Sequence, residues 1–226
     1  MSATYPFFPG GLRRLGGALW LLCLLVLGQS AMVTAEEFPE GSAHALVQEV
    51  TDDLIATIEA HRTGFEQDPH PFLTTVDDMM QDVVDFPWIV RNVMGPYHQQ
   101  ADEAQVERFA EVFRSSLIET YGHGLMNFSD EAIDVVPPRD DQAADVRRVS
   151  VTQRIRSGGN VYPIVYSMAL NRDGEWKVLN VIINGINLGV TFRNQFQQAA
   201  QREQGDLDRV ISGWSPEVNV DVANDA

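Results

Sequence analysis

The side chains able to do chemistry are few and far apart. The histidines are His44, His61, His70, His98 and His123, and none stands in a metal-ligand spacing such as H-E-x-x-H. No G-x-S-x-G nucleophile motif, phosphate loop or dinucleotide fingerprint occurs. The acidic doublets Asp52-Asp53, Asp77-Asp78 and Asp140-Asp141 read as solvated faces. Asn171-Arg172-Asp173-Gly174-Glu175 has oxygen donors in the manner of a calcium loop but lacks its length and ligand count, so it reads as a hairpin turn. Tyr166 paired with a carboxylate would make an isomerase-like site, yet nothing in the sequence selects the carboxylate. No catalytic residue and no metal ligand stands out. Apolar residues, by contrast, are abundant.

The elements that would position any site divide the chain in two. The first half reads helical. Val47, Val50, Leu54, Ile58, His61 and Phe65 recur at spacings of three and four. Asp68-Pro69-His70-Pro71 interrupts that stripe, and a second helix runs from Leu73 towards Val84. Asp85 is placed to cap a third helix, with Pro87 in its first turn and Gly95-Pro96 to stop it. A long helix is expected over Glu103–Leu125, with Val106, Phe109, Phe113, Leu117 and Tyr121 on one face.

The second half reads as sheet. Strands are expected over Ile133–Val136, Asp145–Arg156, Val161–Leu170 and Trp176–Ile183. Val149, Val151 and Ile155 share one face of their strand; Tyr162, Ile164, Tyr166, Met168 and Leu170 share one face of the next. Helices over Leu188–Arg202 and Leu207–Trp214 follow. Helices, then an antiparallel meander, then closing helices make an α+β protein. The arrangement is helices packed on a curved antiparallel sheet of about four strands. It resembles the nuclear transport factor 2 cone and has an apolar cavity. Strands that are apolar on both faces suit a sheet covered on both sides. They equally suit one that is packed on one side and lines a pocket on the other.

The N-terminus has the three parts of a secretory signal. Arg13 and Arg14 supply positive charge, Leu15–Gly28 is an uncharged apolar run, and Val33 and Ala35 fit the small-residue cleavage pattern. Cleavage is expected near Ala35, with Ala31 as the alternative. The apolar run is short for a hydrocarbon core of about 30 Å. Cys23, the only cysteine, follows Leu22 rather than the small residue a lipoprotein cut requires. It leaves with the signal, so the exported chain has no disulfide, thiolate nucleophile or cysteine–metal site. The expected organisation is a signal over 1–35, a domain over 36–214 and a disordered tail over 215–226.

Without Arg13 and Arg14 the net charge falls from −16 to −18, and Lys177 is the only lysine. Such a surface repels nucleic acid and anionic headgroups at long range. No nucleic-acid partner is expected.

One stretch resembles a known family. Val84-Asp85-Phe86-Pro87-Trp88-Ile89-Val90-Arg91-Asn92-Val93-Met94-Gly95-Pro96-Tyr97 is similar to the V-D-F-x-x-I-x-R-x-V-x-G-x-Y signature of the MlaC, or toluene-tolerance, proteins. Ala101, Gln105, the long helix's apolar face, Tyr166, Trp176-Lys177-Val178, Gly185 and Arg193-x-x-Phe196 match in order. The resemblance spans about Leu46 to Trp214. The chain departs from the pattern at His98, where many members have Trp. It also departs at Asn180, Asn184 and Asn187, where the last strand often reads D-V-x-x-E-G-x-S. Those positions bear on strand-end hydrogen bonding or partner docking.

The resemblance implies a monomeric periplasmic shuttle with no cofactor and with glycerophospholipid as cargo. The implied partners are an inner-membrane ABC lipid transporter bearing a ring of lipid-binding domains and an outer-membrane lipoprotein–porin complex. The implied task is maintenance of outer-membrane lipid asymmetry. Each buried methylene contributes about 0.8 kcal/mol. Two acyl chains of about 15 methylenes would therefore cost on the order of 20 kcal/mol to expose to water. A carrier must enclose them, and tail recognition asks for shape and apolarity rather than catalytic groups. The expected lining is Phe86, Ile89, Val90, Val93, Phe109 and Phe113 from the helices, with Val149, Val151, Ile164, Tyr166, Met168, Val181 and Ile183 from the sheet. Two rival readings are an enzyme of the cone-shaped superfamily and a pocketless interaction module of the cell envelope.

Overall fold

Each helix begins where the sequence supplies a cap or a proline. The computed structural model describes residues 38–128, 132–138 and 147–218. Helix α1 (Ala43–His61) is capped by Ser42, whose hydroxyl accepts from the Ala45 N–H at 3.1 Å. Helix α2 (His70–Val83) begins earlier than the expected Leu73, because Pro71 fits the first turn, where no N–H is needed. Asp85 caps α3 (Phe86–Met94), accepting from the Trp88 N–H at 2.9 Å. Helix α4 (Glu103–Tyr121) opens with a capping box between Asp102 and Gln105. Helices α5 (Leu188–Arg202) and α6 (Leu207–Ser212) are capped by Asn187 and Asp206.

Helix α4 ends at Tyr121 instead of Leu125, and Gly122–Asn127 tightens into a 3-10 turn. Gly122, the residue after α4, lies against α2: a Cβ there would stand 2.5 Å from a methyl of Leu73. Helical periodicity continues through this segment, but the glycine permits a contact that redirects the chain.

The sheet is a five-stranded antiparallel meander in chain order. Its strands are β1 (Ala132–Val135), β2 (Arg148–Ser157), β3 (Asn160–Leu170), β4 (Trp176–Ile183) and β5 (Ile186–Asn187). The α+β class is as expected, with one more strand than the four read from the sequence. Asp145, the expected start of β2, lies outside the described residues. The added strand β5 folds back on β4 through Asn184 and Gly185, with φ of 48° and 84°. Asn-Gly is the residue pair that tolerates two successive positive φ values in a tight hairpin. Gly158 and Gly159 do the same between β2 and β3, at 56° and 82°.

Register sets the faces. Val149, Val151, Gln153 and Ile155 of β2 stand opposite Met168, Tyr166, Ile164 and Tyr162 of β3. On β4 the partners are Ile183 for Ile164, Val181 for Tyr166 and Val178 for Met168. A bulge in β4, at Leu179, makes this possible. Without the extra residue, Val178 and Val181 would point to opposite faces.

Three apolar clusters hold the described residues together. Phe86, Val90, Val93 and Met94 of α3 pack with Phe109 and Phe113 of α4, Phe192 and Phe196 of α5, and Trp214. Ala43 and Val47 of α1 pack on Val135, Val151, Met168 and Val178 of the sheet. Ile58 of α1 packs with Phe72 and Val76 of α2. Val84 touches the first two clusters and Met80 touches the first and third, so the α2–α3 junction joins all three.

The segment after α6 was expected to be disordered from Ser215. Residues 215–218 are instead tied down. Tyr121 donates its hydroxyl to the Pro216 carbonyl at 3.2 Å and accepts from the Val218 N–H at 2.8 Å, and Pro216 is fully buried. The rest of the expected tail, 219–226, and the expected signal, 1–35, lie outside the described residues.

Candidate functional site

Helix α1 crosses the inner face of the sheet and leaves part of it unpacked. It is pinned at its start, where the Trp176 indole N–H donates to the Gly41 carbonyl at 3.1 Å. Ala43 and Val47 then pack on the strands. Thr51 makes the last polar contact, accepting from the Gln153 amide at 2.6 Å while donating to the Val47 carbonyl at 2.6 Å. Beyond that point α1 packs on α2 instead. None of the three clusters includes Ile155, Tyr162, Ile164 or Ile183, which continue the inner face.

Tyr166 defines the character of this space. Its hydroxyl donates to Gln153 Oε1 at 2.9 Å. Burial pushes the phenol pKa from the ordinary 10 up to about 12. Yet the side chain is only half-buried by accessible surface, as are Ile164, Val181 and Ile183. These four residues are therefore less closely covered than the three packed clusters. Tyr166, Gln153 and Thr51 form a satisfied polar chain in an otherwise apolar wall, so none of them carries an unmet hydrogen-bond demand. The tyrosine's partner is a neutral amide, so the tyrosine–carboxylate pair of an isomerase-like site is not what forms here.

A pH prediction follows from this burial. The folded state holds the Tyr166 proton more tightly than the unfolded chain, where the pKa is the ordinary 10. Stability from this group is therefore intact below pH 10 and is lost as pH rises from 10 to about 12. The displacement amounts to on the order of 2–3 kcal/mol. Urea unfolding of the parent protein should weaken across that window. Tyr166→Phe should remove this part of the slope, at a cost of roughly 1–3 kcal/mol at neutral pH from the lost bond to Gln153. Tyr121, also raised chiefly by burial, is common to both proteins.

The thirteen expected lining residues do not form one wall. Phe86, Val90, Val93, Phe109 and Phe113 are fully packed in the helical cluster, with Ile89 against it. That cluster contains no strand residue. Val149, Val151, Ile164, Tyr166, Met168, Val181 and Ile183 do share the inner face of the sheet. Periodicity shows that a helix has an apolar stripe but not which element covers it. The sequence reading missed Gln153 and Thr51. Gln153 stands at the same parity as Val151 and Ile155 on β2, and a lone amide on an apolar face was the available signal.

Among the described residues, no three His, Cys, Asp or Glu side chains are grouped to hold a metal ion, and no helix is long and apolar enough to cross a membrane.

The family profile described as MlaC protein matches residues 48–215. The chain belongs to the MlaC family. It is 36% identical over 200 residues to the toluene tolerance protein ttg2D of Pseudomonas putida, covering 85% of this chain and 91% of the relative. It is 24% identical over 172 residues to the intermembrane phospholipid transport system binding protein MlaC of Haemophilus influenzae, covering 75% and 79%. Among solved structures it is similar to the phospholipid-binding protein from Ralstonia solanacearum, determined in complex with a phospholipid. That match has a TM-score of 0.64 and 28% identity, and covers 76% of this chain and 97% of the other.

The departures from the MlaC pattern are now placed. Asn180 accepts from the Gly189 N–H at 3.0 Å and donates to Asn187 Oδ1 at 3.1 Å, while Asn187 caps α5. Together they close the corner between β4 and α5. A Cβ on Gly189 would stand 2.7 Å from Asn180 Oδ1, so the glycine permits that approach. Asn184 supplies the first positive φ of the β4–β5 turn, and His98 lies half-buried in the 3-10 turn Gly95–Gln99.

Proposed function

We propose that the protein is a periplasmic carrier that encloses the acyl chains of a glycerophospholipid against the inner face of its sheet. The carrying observation is the state of that face: Ile164, Tyr166, Val181 and Ile183 are aligned across β3 and β4, apolar, and only half-buried. An apolar surface in this state suits a ligand that must be both held and released. The Haemophilus relative, a phospholipid transport system binding protein, and the Ralstonia relative, determined with a bound phospholipid, support the same reading.

The narrowed lining is Val149, Val151, Ile164, Tyr166, Met168, Val181 and Ile183, with Ile155 and Gln153 added. The helical residues serve as scaffold. Exposing two acyl chains costs on the order of 20 kcal/mol, so spontaneous release into water is negligible. Unloading therefore requires docking. The partners implied by family membership are the inner-membrane ABC lipid transporter with its ring of lipid-binding domains and the outer-membrane lipoprotein–porin complex. Passage between them would maintain outer-membrane lipid asymmetry. No bond is made or broken in this task, which agrees with a sequence lacking a catalytic constellation. The secretory signal read over residues 1–35 delivers the chain to that compartment.

The test is native mass spectrometry of the exported protein purified from a double-membraned bacterium, followed by lipid extraction. Stoichiometric glycerophospholipid is expected. Protein that arrives consistently empty, across preparations and detergent-free, overturns the reading.

A further inference from the structure

A recess of about 360 Å³ opens beside Trp88 of α3; Arg148, Ser150, Ser167 and Asn180 supply its polar border, and Val149, Met168 and Leu179 its apolar one. We infer that this recess binds a phosphate group. Four observations lead there.

The first is charge. Among the described residues, none of those bordering the recess is acidic, in a chain with 32 Asp and Glu. The second is the state of its cation. Arg91, Arg108, Arg114, Arg154, Arg156 and Arg209 each hold a carboxylate. Arg148 is exposed and, among the described residues, makes no side-chain hydrogen bond or ion pair. The third is alignment. Ser150, Ser167 and Asn180 stand in register across β2, β3 and β4. Among the described residues neither serine hydroxyl has a partner, and the Asn180 amide is held in place by Gly189 and Asn187 with one N–H to spare. The fourth is the bulge, which sets Leu179 and Asn180 side by side at the recess.

A charged guanidinium, two hydroxyls and an amide N–H from three strands suit a tetrahedral oxyanion better than a planar one. The volume admits a phosphate with a small substituent. Two sources share this chemistry: the free phosphate ion and the phosphate of a lipid headgroup. The polar side chains Arg148, Ser150, Ser167 and Asn180 alternate with those that point inward, while Val149 and Met168 border the recess and the inner face alike.

The test follows the Trp88 indole N–H and the Ser150 and Ser167 amide signals by NMR in the exported protein. Inorganic phosphate is titrated first, then dihexanoyl phosphatidylglycerol below its micelle concentration. Chloride at matched ionic strength is the control. Saturable shifts with phosphate but not chloride are expected. Arg148→Gln should weaken binding at least about tenfold, because a charge-assisted contact is lost. Arg172→Gln, on the neighbouring turn, should leave it unchanged. Saturation by phosphate alone assigns the free ion, and saturation by the lipid alone or by both assigns the headgroup. If neither shifts these signals, or if Arg148→Gln binds as tightly as the parent, the inference fails. Either failure leaves the lipid-extraction result untouched, so the two readings stand or fall separately.

Discussion

Ile164→Glu should give a folded protein that leaves the cell envelope without lipid. Ile164 lies on the inner face between Gln153 and Ile183, half-buried and outside every apolar cluster. Removing its side chain therefore opens no hole in packed core. A carboxylate there faces opposite fates in the two states of a carrier. With the space empty, water reaches it and the fold tolerates it. With acyl chains present, it must be desolvated against hydrocarbon, a penalty of several kcal/mol without a partner. The expected result is near-complete loss of co-purified phospholipid by mass spectrometry, with unfolding free energy of the lipid-free protein changed by less than about 2 kcal/mol. Ile164→Leu should keep its cargo. Full lipid occupancy in Ile164→Glu would place the acyl chains elsewhere.

Phe109→Ala should do the reverse, costing stability and leaving the inner face intact. Phe109 has no exposed surface. Its ring centroid stands 5.8 Å from that of Phe113, 5.0 Å from Phe196 and 5.3 Å from Trp214. Truncating a buried phenylalanine costs about 3–5 kcal/mol through lost transfer energy and an unfilled cavity. The aromatic contacts place this site at the upper end of that range. At roughly 2–4 °C per kcal/mol for a chain of this size, the melting temperature should drop by on the order of 10 °C. Calorimetry on lipid-free protein measures this without the stabilisation that a bound ligand adds. Lipid stoichiometry at low temperature should match the parent. A large loss of cargo with little loss of stability would return Phe109 to the lining.

The contrast between these two residues shows where sequence reading stops. Ile164 and Phe109 are both apolar residues on periodic stripes, and the sequence treats them alike. One belongs to a closed cluster of four helices and the other to a face that α1 only partly covers. What separates them is the path of α1, which leaves the sheet after Thr51 to pack on α2. No local pattern encodes that departure. The same holds for β4, where the bulge at Leu179 swaps faces and brings Val178 and Val181 to one side. Strict alternation would have separated them.

Local chemistry was legible because its causes are local. Asp85 with Pro87, Asp102 with Gln105, and the glycine pair at 158–159 act within a few residues, and each does what its sequence implies. Asn184-Gly185 carried an equally local signal for β5. The sequence by itself determined the α+β order, the helix caps, the apolar faces of the strands and, through the stretch from Val84 to Tyr97, membership of the MlaC family. The tertiary structure alone decided which apolar faces close on each other and which stay open. It also brought Arg148 and Trp88 together at one recess, from positions far apart in the chain. Apolar burial is non-directional, so a stripe records that it will be covered, and only the packed whole records by what.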